Sequence, residues 1–285
     1  MTCHVALSVA DCAICFSDSQ GTTSDQTESH GLQKLFVGPD FSIGYAGVVA
    51  VGNLLFEHLR RDVDAGIVNA SSLTLYVKTF LGREVRPSVV DNMAFICATP
   101  SKHGDWIQTF SPQLFTEFSS RKRFGTIGSG SNFVGRAFHQ SLDLGYGFRF
   151  NSPSTTFVVG RELIDAADES LTVDSTYTVA ISKAGRCYLL GDSVIAPLWA
   201  PMGIQSHWRA IATKYEEMAA IAETIASEVR AGYRSIGNLG DGTLTNPDLS
   251  VLAASNTSIS ANLQTLTQQM DDFFVWYDGL HATGS

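Results

Sequence analysis

Thr2, Asp18 and Lys34 are the first residues whose types and spacing suggest chemistry: Asp18 stands sixteen residues after Thr2, and Lys34 thirty-two after it. A threonine at a free N-terminus carries its own base. Its hydroxyl is the nucleophile. Its α-amino group, with an ordinary pKa of about 7.7–8.0, can be neutral at physiological pH and accept the hydroxyl proton. A nearby ammonium disfavours protonation of that amine and lowers its pKa. A carboxylate holds the ammonium in place. Methionine aminopeptidases remove Met before small residues, so Met1-Thr2 is expected to yield such an N-terminus.

Other reactive residues fit less well. Cys3 would be the stronger nucleophile at an N-terminus, but two residues would have to leave first. Cys12 and Cys15 have a C-x-x-C spacing inside an apolar, strand-like run, which reads as a reduced, packed pair rather than a redox or zinc motif. None of the seven histidines pairs with a nucleophile motif, and His58 and His139 fall on expected helices as partial core residues. No metal-ligand spacing occurs, and the Gly237–Gly242 run lacks the Lys-Ser/Thr of a phosphate loop.

The elements that must position Thr2, Asp18 and Lys34 follow from periodicity. Cys3–Val9 and Ala13–Ser19 read as strands joined at Ala10-Asp11, and Gln20–His30 as a polar loop. Lys34–Val37 and Phe41–Ala46 form the next strand pair, turning at Gly38-Pro39-Asp40. Leu54, Leu55, His58, Leu59 and Val63 recur at helical spacing, and Ser71 or Ser72 caps a second helix. Strands return at Met93–Ala98, Trp106–Phe110 and Phe124–Ile127. Helices are expected over Asn132–Leu142 and Ser154–Asp168, and then a hairpin of Tyr177–Ser182 and Arg186–Leu190 turning at Ala184-Gly185. Antiparallel pairing brings the ends of the early strands near residue 2. Two antiparallel sheets with a helix pair outside each satisfy this order with short connections. Beyond residue 200, two seams of three- and four-residue steps, Trp208 to Val229 and Ile259 to Tyr277, predict a helical hairpin. It either packs on its own subunit or mediates assembly.

The net charge of −9, with no basic cluster beyond Arg121-Lys122-Arg123, argues against nucleic acid as a partner. No run of eighteen apolar residues suggests a membrane span, and Met1–Asp18 lacks the basic region of a signal peptide, so a cytoplasmic protein is expected.

The Thr2, Asp18 and Lys34 spacing, without a gap, resembles the proteasome β-subunit superfamily, including its simpler bacterial relatives HslV and Anbu. Gly44-Tyr45-Ala46-Gly47 resembles that family's glycine-containing turn into the first helix. The resemblance makes Gly47 the oxyanion-hole residue, with Val48 as the fallback. Gly128-Ser129-Gly130-Ser131 resembles the Gly-Ser-Gly stretch whose serine supports the N-terminal amine, Ser129 being first choice and Ser131 second. The segment Ser170–Val173 resembles its Anbu counterpart, and the family's further Asp and Ser fall near Asp168 or Glu169 and Thr172.

The resemblance covers about residues 2–195. It implies an α+β fold, a four-layer αββα sandwich, here carrying a helical extension over 200–285. It also implies an N-terminal-threonine peptidase without a cofactor, acting on peptide or unfolded polypeptide within a homo-oligomeric ring. No regulatory ATPase is identified. The rival expectations are an amidase or acyltransferase for small substrates using the same machinery, and a non-catalytic assembly subunit that retains Met1.

Overall fold

A computed structural model describes residues 2–9, 12–22, 28–29, 31–99, 107–110, 123–143, 152–169, 173, 177–191, 207–237 and 246–282. The chain is α+β, and its sheets are antiparallel.

Strands β1 (Cys3–Val9) and β2 (Cys12–Asp18) pair with His4 opposite Ser17 and Val9 opposite Cys12. Their turn, Ala10-Asp11, lies outside the described residues. The loop expected at 20–30 contains a two-rung ribbon, β3 (Gly21–Thr22) and β4 (Glu28–Ser29). Two residues per strand are too few for alternation to show in a sequence. Next come β5 (Leu35–Val37) and β6 (Ser42–Ala46).

Helix α1 (Val49–Asp64) follows, then α2 (Leu73–Glu84). Ser72 occupies the cap position of α2, but its side chain makes no cap bond. Its hydroxyl is instead engaged with the backbone of Asn69, donating to the carbonyl and accepting from the N–H. A single turn, α3 (Pro87–Val90), starts at proline, whose fixed φ suits the first helical position.

Strands β7 (Ala94–Ala98), β8 (Ile107–Phe110) and β9 (Phe124–Gly128) lead to α4 (Ser131–Asp143) and α5 (Pro153–Ala166). Ser152 and Thr155 form a reciprocal capping box on α5. The hairpin β10 (Tyr177–Lys183) and β11 (Arg186–Gly191) turns through Ala184 and Gly185, both at positive φ. That geometry matches the twist of a two-residue hairpin. Two long helices, α6 (Trp208–Gly237) and α7 (Asn246–Ala282), end the described chain. The second begins well before Ile259, where the expected seam starts.

The strands form a five-stranded sheet in the order β11-β10-β2-β1-β9 and a four-stranded sheet in the order β5-β6-β7-β8. Helices α1 and α2 bury Leu55, Phe56, Leu59, Val77 and Phe80 with Phe36, Ile43 and Tyr45 of the smaller sheet. Helix α5 lies on β1 and β2, where Phe157 meets Phe16 at a ring-centroid distance of 5.4 Å. The remaining faces of the two sheets meet, with β1 against β6, β7 and β8. Helix α6 packs on α5 and β11, and α7 packs on α6 and α5. Their seam residues, from Trp208 to Tyr277, share one core with β1, β2, β10 and β11. The helical hairpin therefore packs on the rest of its own chain.

His58 is half-buried with its ring edge against Phe80. His139 is exposed, contrary to its expected place in the core, because its position on α4 faces away from the sheet. Among the described residues, no helix is long and apolar enough to cross a membrane.

Candidate active site

Thr2 is almost fully buried at the start of β1. The next residue anchors it: the Cys3 N–H donates to Asp18 Oδ1 at 2.9 Å. Asp18 ends β2, and antiparallel pairing carries that end back beside the beginning of β1. Lys34 lies immediately before β5. Its Nζ donates to the same Asp18 Oδ1 at 2.9 Å and also to the Gln20 carbonyl. The side chains of this ion pair are 1% and 0% exposed. Leu32 N–H, donating to the Ser19 carbonyl at 2.9 Å, stitches the Lys34 segment to the end of β2.

Charge in such dry surroundings is costly unless paired and hydrogen-bonded. Here the ammonium is neutralised by Asp18 and further solvated by a carbonyl. The pair is buried beside the residue that resembles a nucleophile, and its charge reaches the neighbouring groups. Burial first, and then the Asp18 charge, push the Cys3 thiol up to about 12, while Lys34 pulls it down. Cys3 is therefore a neutral thiol, poorly suited to attack. All five cysteines are buried and none is in a disulfide, Cys12 and Cys15 included.

The end of β9 closes the other flank. Cys3 pairs with Gly128, which has φ +96°. A Cβ there would lie 1.9 Å from the Thr2 carbonyl oxygen, so only glycine lets the two backbones approach. Ser129 Oγ donates to that same carbonyl at 3.3 Å. Ser131 Oγ donates to the Gly128 carbonyl at 2.5 Å and so fixes the turn into α4. Ser129 thus touches Thr2, whereas Ser131 supports the turn beneath it.

Gly47 follows β6, is exposed and has φ +127°. A Cβ there would come within 2.3 Å of the Asn92 carbonyl. Its rival, Val48, donates its N–H to Met93 Sδ at 3.1 Å, which leaves Gly47 the better candidate.

Asp168 is exposed in the short turn Ala167–Glu169 after α5. Its charge helps raise the Tyr177 hydroxyl pKa, after burial and Asp165, and Tyr177 pairs directly with Asp18. A Cβ at Gly130 would meet both Cys3 Cβ at 2.9 Å and Ala167 Cβ at 3.0 Å, so the residue before Asp168 lies close to Cys3. Thr172 lies outside the described residues.

The chain matches no family model and no curated protein. The chemistry of the site consequently rests on its own geometry. Sequence reasoning missed two parts of it. The Gln20 carbonyl is a backbone group and leaves no signature in residue type. His4 is a polar residue inside the apolar run Cys3–Leu7, and that interruption was the available signal.

Proposed function

We propose that the chain is an N-terminal-threonine hydrolase that cleaves peptide bonds, built as the four-layer αββα sandwich of that class. The single observation that supports it best is the dry Lys34–Asp18 pair, whose carboxylate also holds the amide one residue from Thr2. The packing of helices outside two facing antiparallel sheets favours the same reading.

In this mechanism removal of Met1 frees the Thr2 amine. The amine takes the Oγ proton as Oγ attacks the substrate carbonyl. Lys34, restrained by Asp18, keeps the amine from holding a proton of its own. The Gly47 N–H stabilises the oxyanion. The protonated amine then donates to the leaving nitrogen, and an acyl ester forms on Thr2. Water, activated by the same amine, attacks the ester, releases the acid and regenerates Oγ–H. Ser129 and the Gly128 turn hold the Thr2 backbone, and Asp168 belongs to its outer support. The substrate is peptide or unfolded polypeptide, and the working form is a homo-oligomeric ring in the cytoplasm.

Fluorogenic peptides and small amides test this directly. Turnover of the peptides, lost in Thr2→Ala and Lys34→Ala while both variants stay folded, is the expected result. Equal turnover in Thr2→Ala would sink the mechanism.

A further inference from the structure

His4 stands on β1 with its side chain fully buried between the two sheets. Nε2 lies 2.8 Å from the Tyr45 carbonyl on β6. A Cβ at Gly44 would come within 2.6 Å of ring carbon Cε1 and 2.7 Å of Nδ1, so the facing strand is hollowed to admit the ring. Nδ1 has no hydrogen-bond partner among the described residues. An aliphatic residue would fill the same space without drying out two nitrogens. A buried polar atom left unsatisfied in this way calls for a reason.

The positions of the bonded groups supply one. His4 is two residues after Thr2, and Tyr45 is two residues before Gly47. The Tyr45 N–H donates to the Lys34 carbonyl at 3.3 Å. The Tyr45 backbone is therefore held at its carbonyl by His4, on the strand of Thr2, and at its N–H by the Lys34 carbonyl. A carbonyl only accepts, so Nε2 carries the proton and the ring is the Nε2–H tautomer. Burial, and then the Lys34 charge, lower its pKa to about 3 against the opposing pull of the Tyr45 carbonyl. The imidazole is neutral throughout the working range and takes no part in proton transfer.

We infer that His4 is a positioning residue: its bond to the Tyr45 carbonyl ties β1 to β6 and so sets the separation between Thr2 Oγ and the Gly47 N–H. This rests on Thr2 as nucleophile and Gly47 as oxyanion donor. A small error in that separation is costly to acyl transfer, because the donor must meet the oxyanion and not the ground-state carbonyl.

The test measures peptide turnover by the full chain. His4→Leu should lower kcat about tenfold to hundredfold with KM nearly unchanged, the pattern of a lost transition-state contact. The pH profile should keep its shape, since no titrating group is removed. His4→Gln, whose amide N–H reaches the same carbonyl, should recover most of the rate. Wild-type kcat in a folded His4→Leu overturns the strut and leaves the Thr2 mechanism standing. An inactive wild type, by contrast, overturns the mechanism itself. Nitrogen-15 NMR of the wild-type ring decides the matter should the variants not fold. An Nε2–H ring that stays neutral from about pH 5 to 9 supports the strut. An Nδ1–H tautomer, or titration within that range, overturns it.

Discussion

The Lys34 ammonium and the Asp18 carboxylate meet at 2.9 Å with essentially no exposed side-chain surface. Removing one partner strands a buried charge, which costs about 3–5 kcal/mol. Asp18→Asn and Lys34→Met are each expected to destabilise the chain on that scale, and the double variant by less than the sum of the two. Chemical denaturation of all four proteins measures the coupling. Additive losses would show that the pair contributes no joint stability.

Gly128 makes its own prediction. Gly128→Ala places a methyl group 1.9 Å from the Thr2 carbonyl oxygen and at φ +96°, a conformation that L residues avoid. Thr2 must move, and the expected loss of turnover is about tenfold or more. Gly135→Ala, with open space around its Cβ on α4, is the control and should be near neutral.

The two outcomes at Asp18 and His4 show what could be read without a structure. Asp18 and Lys34 were legible because spacing and strand order bring their backbones together. Nothing in residue type showed that both would be dry, since burial depends on which loop covers them. The early strands and the hairpin at Ala184-Gly185 were legible as short apolar runs bounded by turn residues. The ribbon of Gly21–Thr22 and Glu28–Ser29 and the single turn Pro87–Val90 were not, because they are shorter than any period they could display. The seams from Trp208 onward marked helices correctly, yet a seam does not name its partner. Contacts with α5 and β11 supply it.

Trp208 tests that assignment. It is 6% exposed, and its ring fills the space beside Gly191, where a Cβ would approach it to 2.6 Å. Trp208→Ala should cost about 3–5 kcal/mol and reach β11 as well as α6. Hydrogen exchange reads this out. Faster exchange confined to α6, with β11 unchanged, would contradict a shared core.

The buried thiols weaken the fold in alkaline solution. Burial raises Cys3 and Cys187 to about 12, and Cys15 and Cys97 further, from an unfolded value of 9.0. Above pH 9.0 the unfolded chain therefore releases protons that the folded chain keeps. Stability should fall as pH rises from that point, by about 1.4 kcal/mol per pH unit for each such thiol. Below it these groups contribute no slope. Iodoacetamide near neutral pH should label the cysteines only after unfolding, and rapid labelling of Cys3 in the native chain would contradict its burial.

The central claim, that Thr2 is the nucleophile, is tested most directly by intact mass before and after incubation with a threonine-directed epoxyketone. The expected result is loss of Met1 and a single adduct that maps to Thr2 and is absent in Thr2→Ala. Retained Met1 with no adduct, in protein made in a host with normal methionine aminopeptidase, would contradict it.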